Sequence, residues 1–156
     1  MGAGKASLSV NGWRGMAVWL QVLLAAAVLA AGGTVYLLFR PRSLLLFRVV
    51  DALRLTDAVG RWREATAGII LPQWVVYCLP DALWTTAYLL LIDALLRPTP
   101  PRRRLPYTAV LPAVGLASEG LQAVGLLPGT FDWLDLLAYT LPLALYIVVT
   151  IIRIRA

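Results

Sequence analysis

The chain has 156 residues, 60% of them hydrophobic, with a mean hydropathy of +0.78, a formal charge of +6 and a pI near 10.1. Soluble domains average about half apolar residues, whereas here the apolar residues fall in blocks of roughly twenty, the length of a helix that crosses a bilayer. A single cysteine, Cys78, and the absence of histidine exclude an intramolecular disulfide, a cysteine-based metal site and any Ser-His or Cys-His nucleophile pair; with no RNP, zinc-finger or basic-zipper pattern, the positive charge points to loops at the cytoplasmic face and to anionic lipid head groups, not to nucleic acid.

The opening "MGAGKAS" lacks the Gly-Lys-Ser/Thr spacing of a phosphate-binding loop, and Ala6 stands where a myristoylation signal needs Ser or Thr. The first apolar run, Met16–Phe39, covers 24 positions. A secretory signal has an apolar core of only about 7–15 residues, so a retained transmembrane helix is expected. After it, Leu44–Glu64 places Arg48, Asp51, Arg54, Asp57, Arg61 and Glu64 three or four residues apart with alternating sign. On a helix these make one charged stripe, with Leu45, Leu46, Val49, Val50, Leu53 and Leu55 on the other faces. That pattern predicts one amphipathic helix lying in the membrane interface.

A second span is expected over Pro80–Leu96, with Pro72 as an earlier possible start, and Asp81 opens it. The stretch "RPTPPRRRLP" reads as a loop, because prolines oppose a continued helix and arginines stay at the membrane surface. The third span is Pro106–Leu127 and the fourth Trp133–Ile152. Ala113, Ala117, Gly120 and Gly125 supply small residues for close helix approach, and Pro112 and Pro142 predict kinks. The expected architecture is therefore all-α: one polytopic membrane domain over residues 1–156, with four transmembrane helices and one interfacial helix.

Four spans put both termini and the Pro-Arg stretch on one side. That side carries Lys5, Arg14, Arg97, Arg102, Arg103, Arg104, Arg153 and Arg155, eight of the 14 basic residues. Three of the other six alternate with acids on the amphipathic stripe, so both termini are expected to be cytoplasmic. Asp81, Glu119, Asp132 and Asp135 then gather towards the outer face, with Trp74, Tyr77, Trp84 and Trp133 at similar depth. Gln122 lies one turn from Glu119, Asp135 one turn from Asp132, and Tyr139 one turn from Asp135. A short hairpin makes spans three and four antiparallel neighbours. An ionised glutamate inside lipid is unfavourable by several kcal/mol, so Glu119 must face the bundle interior, be protonated, or both.

The pair Glu119 and Gln122, a turn, and then "FDWLDLLAY" from Phe131 to Tyr139 resemble the C-terminal half of the VanZ-like family of small four-helix membrane proteins. That family shows Glu-x-x-Gln, a hairpin, and an Asp shortly before an Asn on the next helix. Glu119, Gln122 and Asp135 stand at those positions, Tyr139 stands where the Asn is usual, and Asp81 and Tyr88 match an acid and a tyrosine of the second helix. The lysine that follows that acid in the family is replaced by Ala82, and Thr85 stands near the position of its histidine. The resemblance implies a bacterial envelope protein of the cytoplasmic membrane, without a defined reaction.

The candidate binding residues are Glu119, Gln122, Asp132, Asp135, Tyr139 and Asp81. No catalytic residue, metal or cofactor is expected. The partners expected are membrane lipids and, as a second reading, other membrane subunits. The functions in contention are binding of a lipid-linked or amphiphilic envelope ligand, service as an accessory or structural subunit with the acids as packing glue, and an enzyme acting on lipid head groups. The last has no nucleophile–base pair to support it. Acids at 132 and 135 also have a structural explanation, since they complement the dipole and cap the free N–H groups of a helix start.

Overall fold

The computed structural model describes the backbone of residues 3–155 and the side chains of residues 15–155. Lys5 and Arg14, which enter the orientation count above, lie outside the described side chains. Eight helices and no strands make up the described residues: α1 (Ala3–Phe39), α2 (Leu45–Ala52), α3 (Thr56–Ala65), α4 (Gln73–Tyr77), α5 (Leu79–Leu95), α6 (Pro101–Thr108), α7 (Val110–Ala123) and α8 (Trp133–Arg155). Three segments among them are long and apolar enough to cross a membrane: Gly15–Phe39, Gln73–Leu95 and Trp133–Arg155.

α1 is rich in Ala and Leu and stops at Arg40, which precedes Pro41 and is therefore steered out of the helical region. Its last carbonyls are taken by Arg63, whose Nη1 donates to Leu37 O at 2.7 Å and Arg40 O at 2.9 Å. The single interfacial helix expected over Leu44–Glu64 is instead two helices. Arg54 adopts φ +57°, the left-handed conformation; its N–H donates to Asp51 O and the Leu55 N–H reaches back to Val50 O, both at 3.0 Å. That bonding closes α2 as a glycine would close it, and the Thr56 hydroxyl then donates to Asp51 Oδ1 at 2.6 Å as α3 begins. Folding back lets Phe47 and Val50 of α2 meet Val59 of α3 in a small core against Tyr36, Leu37 and Leu44.

α4 and α5 form one span interrupted at Cys78. Pro80 has no N–H, so the Val76 carbonyl lacks its helical donor. α5 is the central helix, packed against α1 on one side and α8 on another. Close approach to α1 requires Gly32, where a β-carbon would stand 2.8 Å from the Trp84 indole.

The basic, proline-rich stretch is a loop only as far as Pro100; from Pro101 it is helical, contrary to the sequence expectation. Pro101 occupies the first helical position, where its missing N–H removes no bond and its fixed φ suits the helix. Arg104 folds back and donates to Thr99 O at 2.6 Å and Arg97 O at 2.8 Å, which ties the loop to the helix. α6 passes into α7 across Ala109, just before Pro112 in the first turn of α7. α7 ends at Gly125, φ +74°, with Leu126 N donating to Leu121 O. Of the small residues expected to permit close approach in span three, Gly120 faces open space.

Candidate functional site

Two polar clusters sit at opposite ends of the bundle. Asp81 and Asp93 mark them on α5, twelve residues and about 18 Å apart at 1.5 Å per residue.

The first cluster forms where α7 ends and α8 begins. Asp132 caps α8: its Oδ1 accepts from Leu134 N at 2.9 Å and its carbonyl accepts from Leu136 N at 3.2 Å. The same residue's N–H donates to Glu119 Oε2 at 3.3 Å, so the buried Glu119 of α7 is tied to the first turn of α8. One turn on, Asp135 points inward, and its Oδ1 is buried without a hydrogen-bond partner. Cys78, at the α4–α5 break, offers its Sγ beside one oxygen each of Asp132 and Asp135, all within 4.8 Å of one another. Those three residues are the set a cation could bridge, although one Asp132 oxygen is already given to Leu134. Asp81 and Tyr139 lie within electrostatic reach of Glu119 and Asp135.

The structure thus brings Glu119, Asp132, Asp135, Asp81 and Tyr139 to one place. Gln122 has gone elsewhere: its Nε2 faces Ser118 Oγ at 3.5 Å, and its amide lies over Gly129, where a β-carbon would meet it at 2.9 Å. It holds the hairpin and does not line the carboxylate group.

Tyr139 is seated by Gly115 of α7, where a β-carbon would stand 2.6 Å from the ring. Gly115→Ala is therefore expected to displace the ring or push α7 from α8, lowering stability by about 1–3 kcal/mol. Thermal unfolding in detergent measures this, and recovery in Gly115→Ala/Tyr139→Leu would assign the loss to that contact. An unchanged melting temperature in the single variant would show that the ring is not held there.

The cation at this end is Arg40, one of the six basic residues outside the set expected at the cytoplasmic face. Its Nε donates to Val76 O at 3.2 Å and its Nη2 to Tyr77 O at 2.7 Å, filling the carbonyls released at the Cys78 break. It stacks over Tyr36 and Tyr77, 5.2 Å and 4.8 Å from the ring centroids, and stands 3.8 Å from Asp81. Four carboxylates against one guanidinium leave the cluster with an acidic excess.

The second cluster surrounds Asp93, which is 4% exposed. Its Oδ1 accepts from Arg104 Nη1 at 2.9 Å and Tyr146 OH at 3.0 Å; its Oδ2 accepts from Gln21 Nε2 at 3.0 Å, with Arg153 Nη1 at 3.9 Å. Gln21 also donates to Leu90 O and accepts from Arg97 Nη2. One carboxylate thus joins α1, α5, α6 and α8. It is saturated with donors, as a structural hub is, whereas the first cluster keeps an acceptor unanswered. The visible signal for this hub was an aspartate inside an apolar run, followed within four to eleven residues by Arg97 and Arg102–104.

Comparison with family models, with curated proteins and with solved structures finds no match for the chain.

Proposed function

We propose that this chain is a VanZ-like integral membrane protein of the bacterial cytoplasmic membrane whose acidic cluster binds the head group of a lipid-linked or amphiphilic envelope ligand. In this reading α6 and α7 act together as the fourth span: Pro101–Ala123 is 23 residues, about 34 Å of helix. α1, α4–α5, α6–α7 and α8 then alternate in direction, with both termini at the cytoplasmic face beside the Asp93 hub. α2 and α3 lie along the outer interface, with Leu45, Leu53 and Trp62 turned away from the protein.

The observation that carries the ligand is Asp135 Oδ1, a buried oxygen with no hydrogen-bond partner among the described residues, the Cys78 thiol beside its carboxylate being a weak donor. A buried polar atom left so is unfavourable by about 1–3 kcal/mol, which a hydroxyl or ammonium of a bound head group would recover. The acidic excess favours the same ligand chemistry.

The test is native mass spectrometry of the purified full chain. Wild type is expected to retain an amphiphile. Asp135→Asn keeps the size of the side chain but removes the charge of the unanswered acceptor, and is expected to lower retention about tenfold, the worth of one charge-assisted hydrogen bond of roughly 1.5 kcal/mol. Equal retention by the variant would reject the reading. The accessory-subunit alternative would then stand, supported by α1, which packs chiefly on α5 and leaves Trp19 and Leu23 more than 60% exposed.

A further inference from the structure

We propose that the cleft between α6 and the last turns of α8 holds one anionic phospholipid, its phosphate between Arg102 and Arg155. The inference rests on the chain lying in a bilayer and is independent of any ligand at the acidic cluster, which is at the other end of α5.

The cleft encloses about 380 Å³. Its walls are Leu105 of α6 and Ile147, Ile151 and Ile154 of α8, with Arg102 and Arg155 at its mouth. Ile147, Ile151 and Ile154 are four and three residues apart, so they form one stripe about 10 Å long. Ile151 and Ile154 remain 43% and 39% exposed, so the trench opens sideways, where acyl chains would run. An apolar trench that ends at two guanidinium groups matches a phospholipid: hydrocarbon along the walls, phosphate at the mouth. Guanidinium groups are suited to this because they grip phosphate oxygens in pairs.

Arg102 and Arg155 form no ion pair among the described residues. The carboxylate at this end, Asp93, is taken up by Arg104 and, more distantly, by Arg153. The groove on the opposite side of α8 provides an internal comparison. It is of similar size, about 440 Å³, and equally apolar, but the arginine that lines it, Arg153, faces Asp93. Hydrocarbon fits both grooves, but the α6–α8 cleft presents two guanidinium groups without an ion pair among the described residues, where the other groove presents one, 3.9 Å from Asp93.

The test uses the full chain in detergent, titrated with phosphatidylglycerol or with phosphatidylcholine of the same acyl chains, and followed by native mass spectrometry. One phosphatidylglycerol is expected to bind about 30-fold more tightly than phosphatidylcholine, the effect of two arginines at a membrane surface. Arg102→Gln/Arg155→Gln should abolish that preference, and Ile151→Trp, which fills the trench, should remove the bound lipid while leaving the melting temperature unchanged. Arg48→Gln/Arg61→Gln, on α2 and α3, should leave the preference intact. Absence of a head-group preference in wild type, or a preference that survives Arg102→Gln/Arg155→Gln, would overturn the proposal. So would full competition by glycerol 3-phosphate at equal concentration, because the apolar walls would then contribute nothing.

Discussion

Asp93→Leu is expected to destabilise the protein by about 3–5 kcal/mol, the cost of stranding a buried charge. The substitution removes the acceptor for Gln21, Arg104 and Tyr146 at once, and the Arg104 side chain, only 11% exposed, keeps its charge with no counter-ion, held only by the Thr99 and Arg97 carbonyls. Arg153, at 3.9 Å and 61% exposed, contributes little to the loss, since exposed ion pairs are weak. The measurement is the unfolding midpoint in detergent, followed by tryptophan fluorescence. Asp93→Leu/Arg104→Met should recover most of the loss, because apolar replacement of both partners of a buried pair is often neutral. If the double variant is no better than the single, the hub's contribution lies in its fit with Gln21 and Tyr146, not in charge balance.

Arg40→Ala is expected to be damaging as well, by about 1–4 kcal/mol, for a different reason. Two main-chain acceptors at the α4–α5 break lose their donors: Val76 O, which is part-buried and costs about 1–3 kcal/mol when left open, and the exposed Tyr77 O, which costs less. Stacking on Tyr36 and Tyr77 is lost with them. Arg40→Lys should restore only part, since an ammonium cannot fork to two carbonyls while lying flat on a ring. Asp81→Asn should cost far less, because that contact is 3.8 Å long and a fifth of the Asp81 side chain is exposed. Unfolding midpoints ranked Arg40→Ala, then Arg40→Lys, then Asp81→Asn, from most to least damaging, would identify Arg40 as a cap for the break; a loss in Asp81→Asn equal to that in Arg40→Ala would identify it as a counter-ion.

The spans were readable where one apolar run maps onto one helix. The expected end of the first at Phe39 and start of the fourth at Trp133 coincide with the helix bounds. The α2–α3 fold was not readable because its reversal falls on Arg54, a residue whose type does not announce a left-handed conformation as glycine would. α6 was misread because proline opposes a helix interior yet favours its first position, and sequence alone does not tell which position Pro101 holds. Within the site, helical period and a short hairpin sufficed to place Glu119 near Asp132 and Asp135. The same period placed Gln122 beside Glu119, but three residues turn a helix through about 300°, which leaves enough divergence for the amide to lie towards Ser118 and Gly129 instead. Arg40 and Asp93 act through partners 36 and 72 residues away, and no local pattern records such pairings.

The order in which Asp93 meets its partners constrains how the chain is made. Synthesis delivers residues from the N-terminus at about 5–20 per second, so of the groups that donate to Asp93, Gln21 on α1 is in place first, Arg104 follows about a second after Asp93 itself, and Tyr146 and Arg153 come last. Among the eventual donors to Asp93, the Gln21 amide is thus the one already folded on α1 when α5 emerges, and the pairing of α1 with α5, reinforced by Gly32 against Trp84, is the earliest of its contacts that the order of synthesis allows.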